Sequence, residues 1–207
     1  MVNEKIFITG IGTGVGKTIV SAILVEKFKA DYWKPIQSGD LDTSDTINVK
    51  SLVSNNFSVF HPEAIKLSQP YSPHKSAALD GIVIDEYQIV CPATKNNLFI
   101  EGAGGLMVPI NNQFLMIDLI KKLNMAVVLV SSNYLGSINH TILSIKMLIQ
   151  YQIPIKGIIF NGVEDSYTTD FILAYTGIKL LGHLPVFNNI DKKTISQSTS
   201  HIINEIF

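Results

Sequence analysis

The chain has 207 residues, 46% of them hydrophobic and 16% charged, and its 16 basic and 17 acidic side chains leave a formal net charge of −1. That balance excludes a disordered or collagen-like polymer and provides no overall field to draw nucleic acid or an anionic membrane, so any anion must be held locally. The single cysteine, Cys91, excludes an internal disulfide and any multi-cysteine metal site, and it reads as a small apolar residue before Pro92.

Short runs rich in β-branched residues alternate with segments of helical period along the whole chain. Strand Lys5–Thr9 leads through a glycine loop into helix Gly16–Phe28, and strand Tyr32–Pro35 precedes helix Asp45–Val53. The stretch from Phe57 to Thr94, with Pro62, Pro70, Pro73 and Pro92, is expected to be mostly loop with one or two short helices. Strand Leu98–Glu101, helix Ile117–Leu123, strand Ala126–Ser131 and helix Ile138–Tyr151 follow, then strand Ile155–Asn161, helix Thr168–Tyr175, strand Leu180–Leu184 and helix Lys192–Ile206. Several of these strands are apolar throughout, as strands covered on both faces are. The pattern predicts one α/β domain over residues 1–207, with a mostly parallel central sheet flanked by helices in three layers. The longest apolar stretches, such as Met125–Val130, fall far short of the roughly 20 residues of a bilayer span, and no signal peptide is visible. A cytoplasmic protein is expected. In such a sheet ligands gather beyond the carboxyl ends of the strands, where the motifs of this chain stand.

The first of these is Gly10-Ile11-Gly12-Thr13-Gly14-Val15-Gly16-Lys17-Thr18, between a strand and a helix. Glycines permit a tight turn, successive N–H groups converge, and the helix dipole adds positive potential, which together make a phosphate cradle of the P-loop NTPase fold. Lys17 can reach the β- and γ-phosphates, and the Thr18 hydroxyl can face a magnesium ion. The leading glycine stands one residue earlier than in the usual Walker A spacing, since Ile11 lies six before Lys17.

Beyond the loop, Lys34 lies between an aromatic pair and Pro35, four residues before Ser38, where a second cation would offset charge on a transferring phosphoryl group. Asp40, Asp42 and Asp45 lead into a helix; Asp45 can cap that helix or serve as a magnesium ligand. Glu101 ends an apolar strand, where a buried carboxylate needs a metal or cation, and Gly102, Ala103, Gly104 and Gly105 follow as a close-approach segment. Ser137, Ile138 and Asn139 open a helix whose amides suit a carboxylate, although Ser137 can also simply cap it. Asn161 at a strand end can pair with a purine edge or sit in a turn with Gly162; Pro185 can border a nucleotide or end its strand.

The phosphate loop, Lys34-Pro35 to Ser38-Gly39, Pro70-Tyr71-Ser72-Pro73-His74, Glu101 to Gly105 and Leu135-Gly136-Ser137-Ile138-Asn139-His140 stand in an order that resembles the dethiobiotin synthetase family across nearly the whole chain. The resemblance implies ligation of 7,8-diaminononanoate with carbon dioxide, with ATP as co-substrate and magnesium as cofactor, in a homodimer without nucleic-acid or membrane partners. It implies Thr13, Lys17 and Lys34 as catalytic residues and Thr18, Asp45 and Glu101 as metal ligands. Nucleotide contacts fall on Gly12, Thr13, Gly14, Val15, Gly16, Lys17, Thr18, Asp45, Glu101, Gly102, Ala103, Gly104, Asn161, Gly162, Pro185, Val186 and Phe187. Substrate contacts fall on Ser38, Pro73, Gly104, Gly105, Ser137, Ile138 and Asn139. Gly12 and Gly14 depart from the family pattern, which often has acidic residues there. Two rivals share the fold. A cobyrinate-type amidating ligase would bring a glutaminase domain for which this chain has no room, and a partition-type switch ATPase would carry a second lysine where Ile11 and Gly12 stand.

Overall fold

A computed structural model describes residues 3–207. Strands β1 (Lys5–Gly10), β2 (Asp31–Trp33), β4 (Phe60–His61), β6 (Leu98–Gly105), β7 (Ala126–Ser132), β8 (Ile155–Asn161) and β9 (Leu180–Leu184) form one sheet in the order β4-β2-β6-β1-β7-β8-β9. Its named strand pairs are parallel. A second small sheet pairs β3 (Ile36–Ser38) with β5 (Ile65–Leu67), also parallel. Helices α1 (Lys17–Phe28), α2 (Asp45–Leu52) and α7 (Lys192–Ser198) pack on one face of the large sheet. Helices α4 (Met116–Lys122), α5 (Ser137–Gln150) and α6 (Ser166–Thr176) pack on the other, and α3 (Pro73–Asp80) adjoins the small sheet.

Alternation along the strands explains the three layers. On β1, Ile6 and Ile8 enter the core under α1 while Phe7 enters the opposite one, and on β7 Val128 and Val130 likewise diverge from Val127 and Leu129. All of these side chains are fully buried. Each contributes about 1.5–3 kcal/mol by leaving water.

Three expectations need correction. The strand predicted over Tyr32–Pro35 stops at Trp33, because Pro35 has no N–H for the ladder; the chain then leaves the main sheet, and the Pro35 carbonyl instead accepts from the amides of Ala64 and Ile65. The stretch from Phe57 to Thr94 holds a short helix, α3, as expected, and in addition two short strands, β4 and β5. The helix predicted over Lys192–Ile206 ends at Ser198, and after a 3-10 turn at Thr199–His201 Ile202 bridges antiparallel to Gly182. Gly182 permits this approach: a Cβ there would stand 2.3 Å from the His201 carbonyl oxygen. Phe207 then packs against Phe28 and Phe99.

Candidate active site

The carboxyl ends of β1 and β2 and the middle of β6 deliver the phosphate loop, Lys34 and Glu101 to one cleft of about 580 Å³. Gly16, which precedes α1, has φ of 92°, and a Cβ on it would lie 2.1 Å from the side-chain nitrogen of Asn161. Only glycine fits there. Asn161 donates from that nitrogen to the Val15 carbonyl at 3.1 Å, so β8 clamps the loop from the side.

Four charged side chains and three hydroxyls converge beneath the loop. The Thr18 hydroxyl lies 3.0 Å from Asp45 Oδ1 and 3.0 Å from Glu101 Oε1. Glu101 is buried, and its Oε2 accepts from the hydroxyls of Ser21 at 2.8 Å and Tyr32 at 2.9 Å. Lys34 Nζ lies 2.5 Å from Asp45 Oδ2 and 3.2 Å from Glu101 Oε1, and it also donates to the Gly102 carbonyl. Burial works to lower the Lys34 pKa, but the charges of Glu101 and Asp45 outweigh it and raise the value, so Lys34 stays a cation. Lys17 is the contrasting case: burial, and then the like charge of Lys34, lower it to about 8. Its Nζ donates to the Gly12 carbonyl at 2.9 Å. Burial together with Glu101 pushes the Tyr32 phenol well above its ordinary range, so Tyr32 remains a hydrogen-bond donor.

Ser44, not Asp45, is the N-cap of α2, accepting at its hydroxyl from the Ile47 amide at 3.4 Å. Asp45 therefore does not cap the helix; its carboxylate turns to Thr18 and Lys34 instead. Asp42 is exposed, while Asp40 lines the cleft. The segment after Glu101 is not a loop, as β6 continues to Gly105, where it pairs with Gly10 of the phosphate loop. Thr18, Asp45 and Glu101 offer hydroxyl and carboxylate oxygens only, a donor set suited to a hard cation such as magnesium. Among the described residues no group of three His, Cys, Asp or Glu could hold a metal, so phosphate oxygens and water would complete the shell.

The cleft gathers Thr13, Gly14, Gly16, Lys17, Thr18, Lys34, Ser38, Asp45, Pro73, Glu101, Ala103 and Gly104 of the expected residues. Gln37 and Tyr71, which lie within two of the sequence motifs but have no contact assigned there, also line it. A polar side chain at the centre of a three-residue strand was the available signal for Gln37. Gly12 and Gly105 instead border an adjoining crevice of about 330 Å³ with Met107, His140, Leu143 and Met147. Asn161, Gly162 and the Pro185–Phe187 segment stand at adjacent strand ends, where the Gly162 amide donates to the Leu184 carbonyl; Pro185 and Val186 are exposed, whereas Phe187 packs partly into the core. Ser137, Ile138 and Asn139 are not brought into the cleft: Ser137 is buried at the start of α5, and Ile138 and Asn139 face outward.

Among the described residues no helix is long and apolar enough to cross a membrane. Solved structures with the same architecture include a ParA family ATPase from Chlorobium tepidum, with a TM-score of 0.58 at 13% identity over 96% of this chain and 98% of that one. The septum site-determining protein MinD of Pyrococcus horikoshii, complexed with Mg-ADP, aligns with a TM-score of 0.57 at 13% identity over 95% of this chain and 86% of that one. At such identities the likeness establishes the P-loop fold alone. An AAA domain family profile matches residues 4–194. Sequence relatives decide more. The ATP-dependent dethiobiotin synthetase BioD of Christiangramia forsetii is 49% identical over 98% of this chain and 99% of its own length. That of Cytophaga hutchinsonii is 44% identical over 93% and 94%, and that of Paramagnetospirillum magneticum 39% over 92% of each. With a phosphate loop, a buried lysine and two carboxylates in one cleft, and relatives of this identity spanning nearly its full length, the chain belongs to the ATP-dependent dethiobiotin synthetase family.

Proposed function

We propose that the protein, acting as one ligase domain over residues 1–207, converts 7,8-diaminononanoate, carbon dioxide and ATP into dethiobiotin, ADP and phosphate. The observation that carries this reading is the shared cleft of Ser38, Lys34 and the phosphate loop. Among the described residues the buried Ser38 hydroxyl has no hydrogen-bond partner, which suits an amine or carbamate of the substrate.

One substrate amine adds to carbon dioxide and loses a proton, giving a carbamate. A carbamate oxygen then attacks the γ-phosphorus and ADP departs, leaving a mixed carbamic-phosphoric anhydride. The second amine attacks the carbonyl carbon, phosphate leaves and the ureido ring closes. Lys17 and Lys34 neutralise charge on the transferring group, and Thr13 and the amides of the phosphate loop orient it; alignment and charge, rather than a strong base, supply the rate. Thr18, Asp45 and Glu101 would hold a magnesium ion, which supplies further charge neutralisation at the phosphate oxygens. Cys91 takes no part, for its thiol sits beside Lys5 at the start of β1, at the far end of that strand from the phosphate loop.

The reading extends to a cytoplasmic homodimer. Ile138 and Asn139 are exposed at the start of α5 and stand outside the cleft, which supports a site for the substrate's carboxylate tail completed by a second copy of the chain. The adenine is assigned to the edge formed by Asn161, Gly162 and Pro185–Phe187. The test is ADP release with and without the diamine and bicarbonate. Release is expected only when both are present, because the phosphoryl acceptor exists only after the carbamate forms. Equal turnover without the diamine sinks the ligase assignment.

A further inference from the structure

The site contains a buried amide with no part in the chemistry above. Gln37 is 6% exposed and lies at the centre of β3, between Ile36 and Ser38. Both ends of its side chain are used. Its Nε2 donates to the Gly39 carbonyl at 3.0 Å, and its Oε1 accepts from the backbone N–H of Asp45 at 3.2 Å. Asp45 is the first residue of α2, so that N–H is one of the donors a helix start leaves without an intrahelical partner.

The next claim on the helix start is met separately. Ser44, 4% exposed, accepts from the Ile47 amide and donates to Glu63 Oε1 at 3.1 Å, which fixes the direction of its hydroxyl. A carboxylate in the first turn of a helix is normally drawn to these amides. With Gln37 and Ser44 occupying them, the Asp45 carboxylate is left to face Thr18 at 3.0 Å and Lys34 at 2.5 Å.

We infer that Gln37 is a positioning residue that holds Asp45 in place as a metal ligand. The inference rests on the ligase reading in taking Asp45 for a ligand, and it ties that ligand to the same short strand that presents Ser38 to the cleft. Removing the amide leaves the part-buried Asp45 N–H without this acceptor, and the residue's own carboxylate is then drawn toward the helix start.

Manganese titrated into protein saturated with ADP, with the free ion followed by electron paramagnetic resonance, gives metal affinity without turnover. Gln37→Met keeps the length of the side chain and deletes both hydrogen bonds; it is expected to weaken manganese binding about tenfold, as loss of a group supporting a metal ligand does. ADP affinity without metal should change less than twofold. In an Asp45→Asn background the same substitution should add nothing, because it acts through that carboxylate. Gln37→Asn, one methylene too short to reach Asp45, provides the same test if the methionine variant folds poorly. Manganese affinity within twofold of the unmodified protein in both Gln37 variants, or an equal weakening with and without the Asp45 carboxylate, overturns the inference. If Asp45→Asn alone leaves manganese affinity unchanged, the metal-ligand role of Asp45 falls and the inference falls with it. Diamine-dependent ADP release tests the ligase reading separately.

Discussion

Asp31 and Glu101 are both buried carboxylates, on the neighbouring strands β2 and β6, and they are satisfied in opposite ways. Asp31, at the start of β2, accepts from Thr94 Oγ1 at 2.5 Å, Asn96 Nδ2 at 2.9 Å and the Val59 amide at 2.8 Å, with His61 Nε2 at 3.2 Å. Burial acts to raise its pKa, but the hydrogen bonds from Asn96, Thr94 and Val59 outweigh it and hold the group below the ordinary carboxylate range. Glu101, toward the other end of the strands, meets a lysine and three hydroxyls around the phosphate-loop cleft. Fixed donors close the first group off and pin β2 to β4 and to the loop before β6. The second group faces side chains that can re-pair when a nucleotide phosphate enters the cleft. Burial of a charge therefore does not by itself mark a functional site; the kind of partner does.

The comparison predicts that changes near Glu101 affect catalysis and changes near Asp31 affect stability. The largest expected effect is at Lys34. Lys34→Ala should lower kcat on the order of 10³-fold, as loss of a charge aimed at the transition state does, with ADP affinity changed only a fewfold. Lys17→Ala should lose both. Single-turnover assays with ADP titrations distinguish the two lysines, and near-normal kcat in Lys34→Ala would remove it from the site.

Glu101→Gln comes next. It should leave the circular dichroism spectrum intact and raise the magnesium needed for half-maximal turnover roughly tenfold or more, since one negative charge leaves a hard-cation site. A magnesium titration superposable on that of the unmodified protein would make Glu101 a second Asp31, structural in spite of its position.

The smallest effect is on stability alone. Asp31→Asn should cost about 1–3 kcal/mol, because an amide cannot accept at both ends from the donors that remain. Its kcat should stay normal. The sign with pH follows from the depressed pKa: the contribution of Asp31 is complete above its unfolded value of about 3.9 and is lost as pH falls through the lower folded value. Urea unfolding from pH 7 down to pH 3 should show an acid loss in the unmodified protein that is shallower in Asp31→Asn. Equal acid slopes would show that other carboxylates carry the loss.

Legibility in the sequence followed the range of the physics. The phosphate loop could be read because Gly10 to Thr18 act through contiguous backbone, and Glu101 because a charge ending an apolar strand calls for a partner. Strands β4 and β5 escaped notice, being two and three residues long, too short to display a period. The helix drawn to Ile206 followed the apolar spacing of Ile195, Ile202 and Ile206, yet the last two reach the same core from extended chain. Asp31 carried no local signal, since its partners lie in other segments.

The sequence by itself determined the layer order of the fold, the phosphate cradle and the family. These depend on alternation of apolar residues, on glycines that free the backbone, and on residue order, all of which are local or linear properties. Tertiary structure alone decided that the Asp45 carboxylate meets Thr18, that Lys34 lies between two carboxylates, and that Ser137 to Asn139 stand apart from the cleft. Those outcomes depend on distances between segments far apart along the chain, and only packing sets such distances.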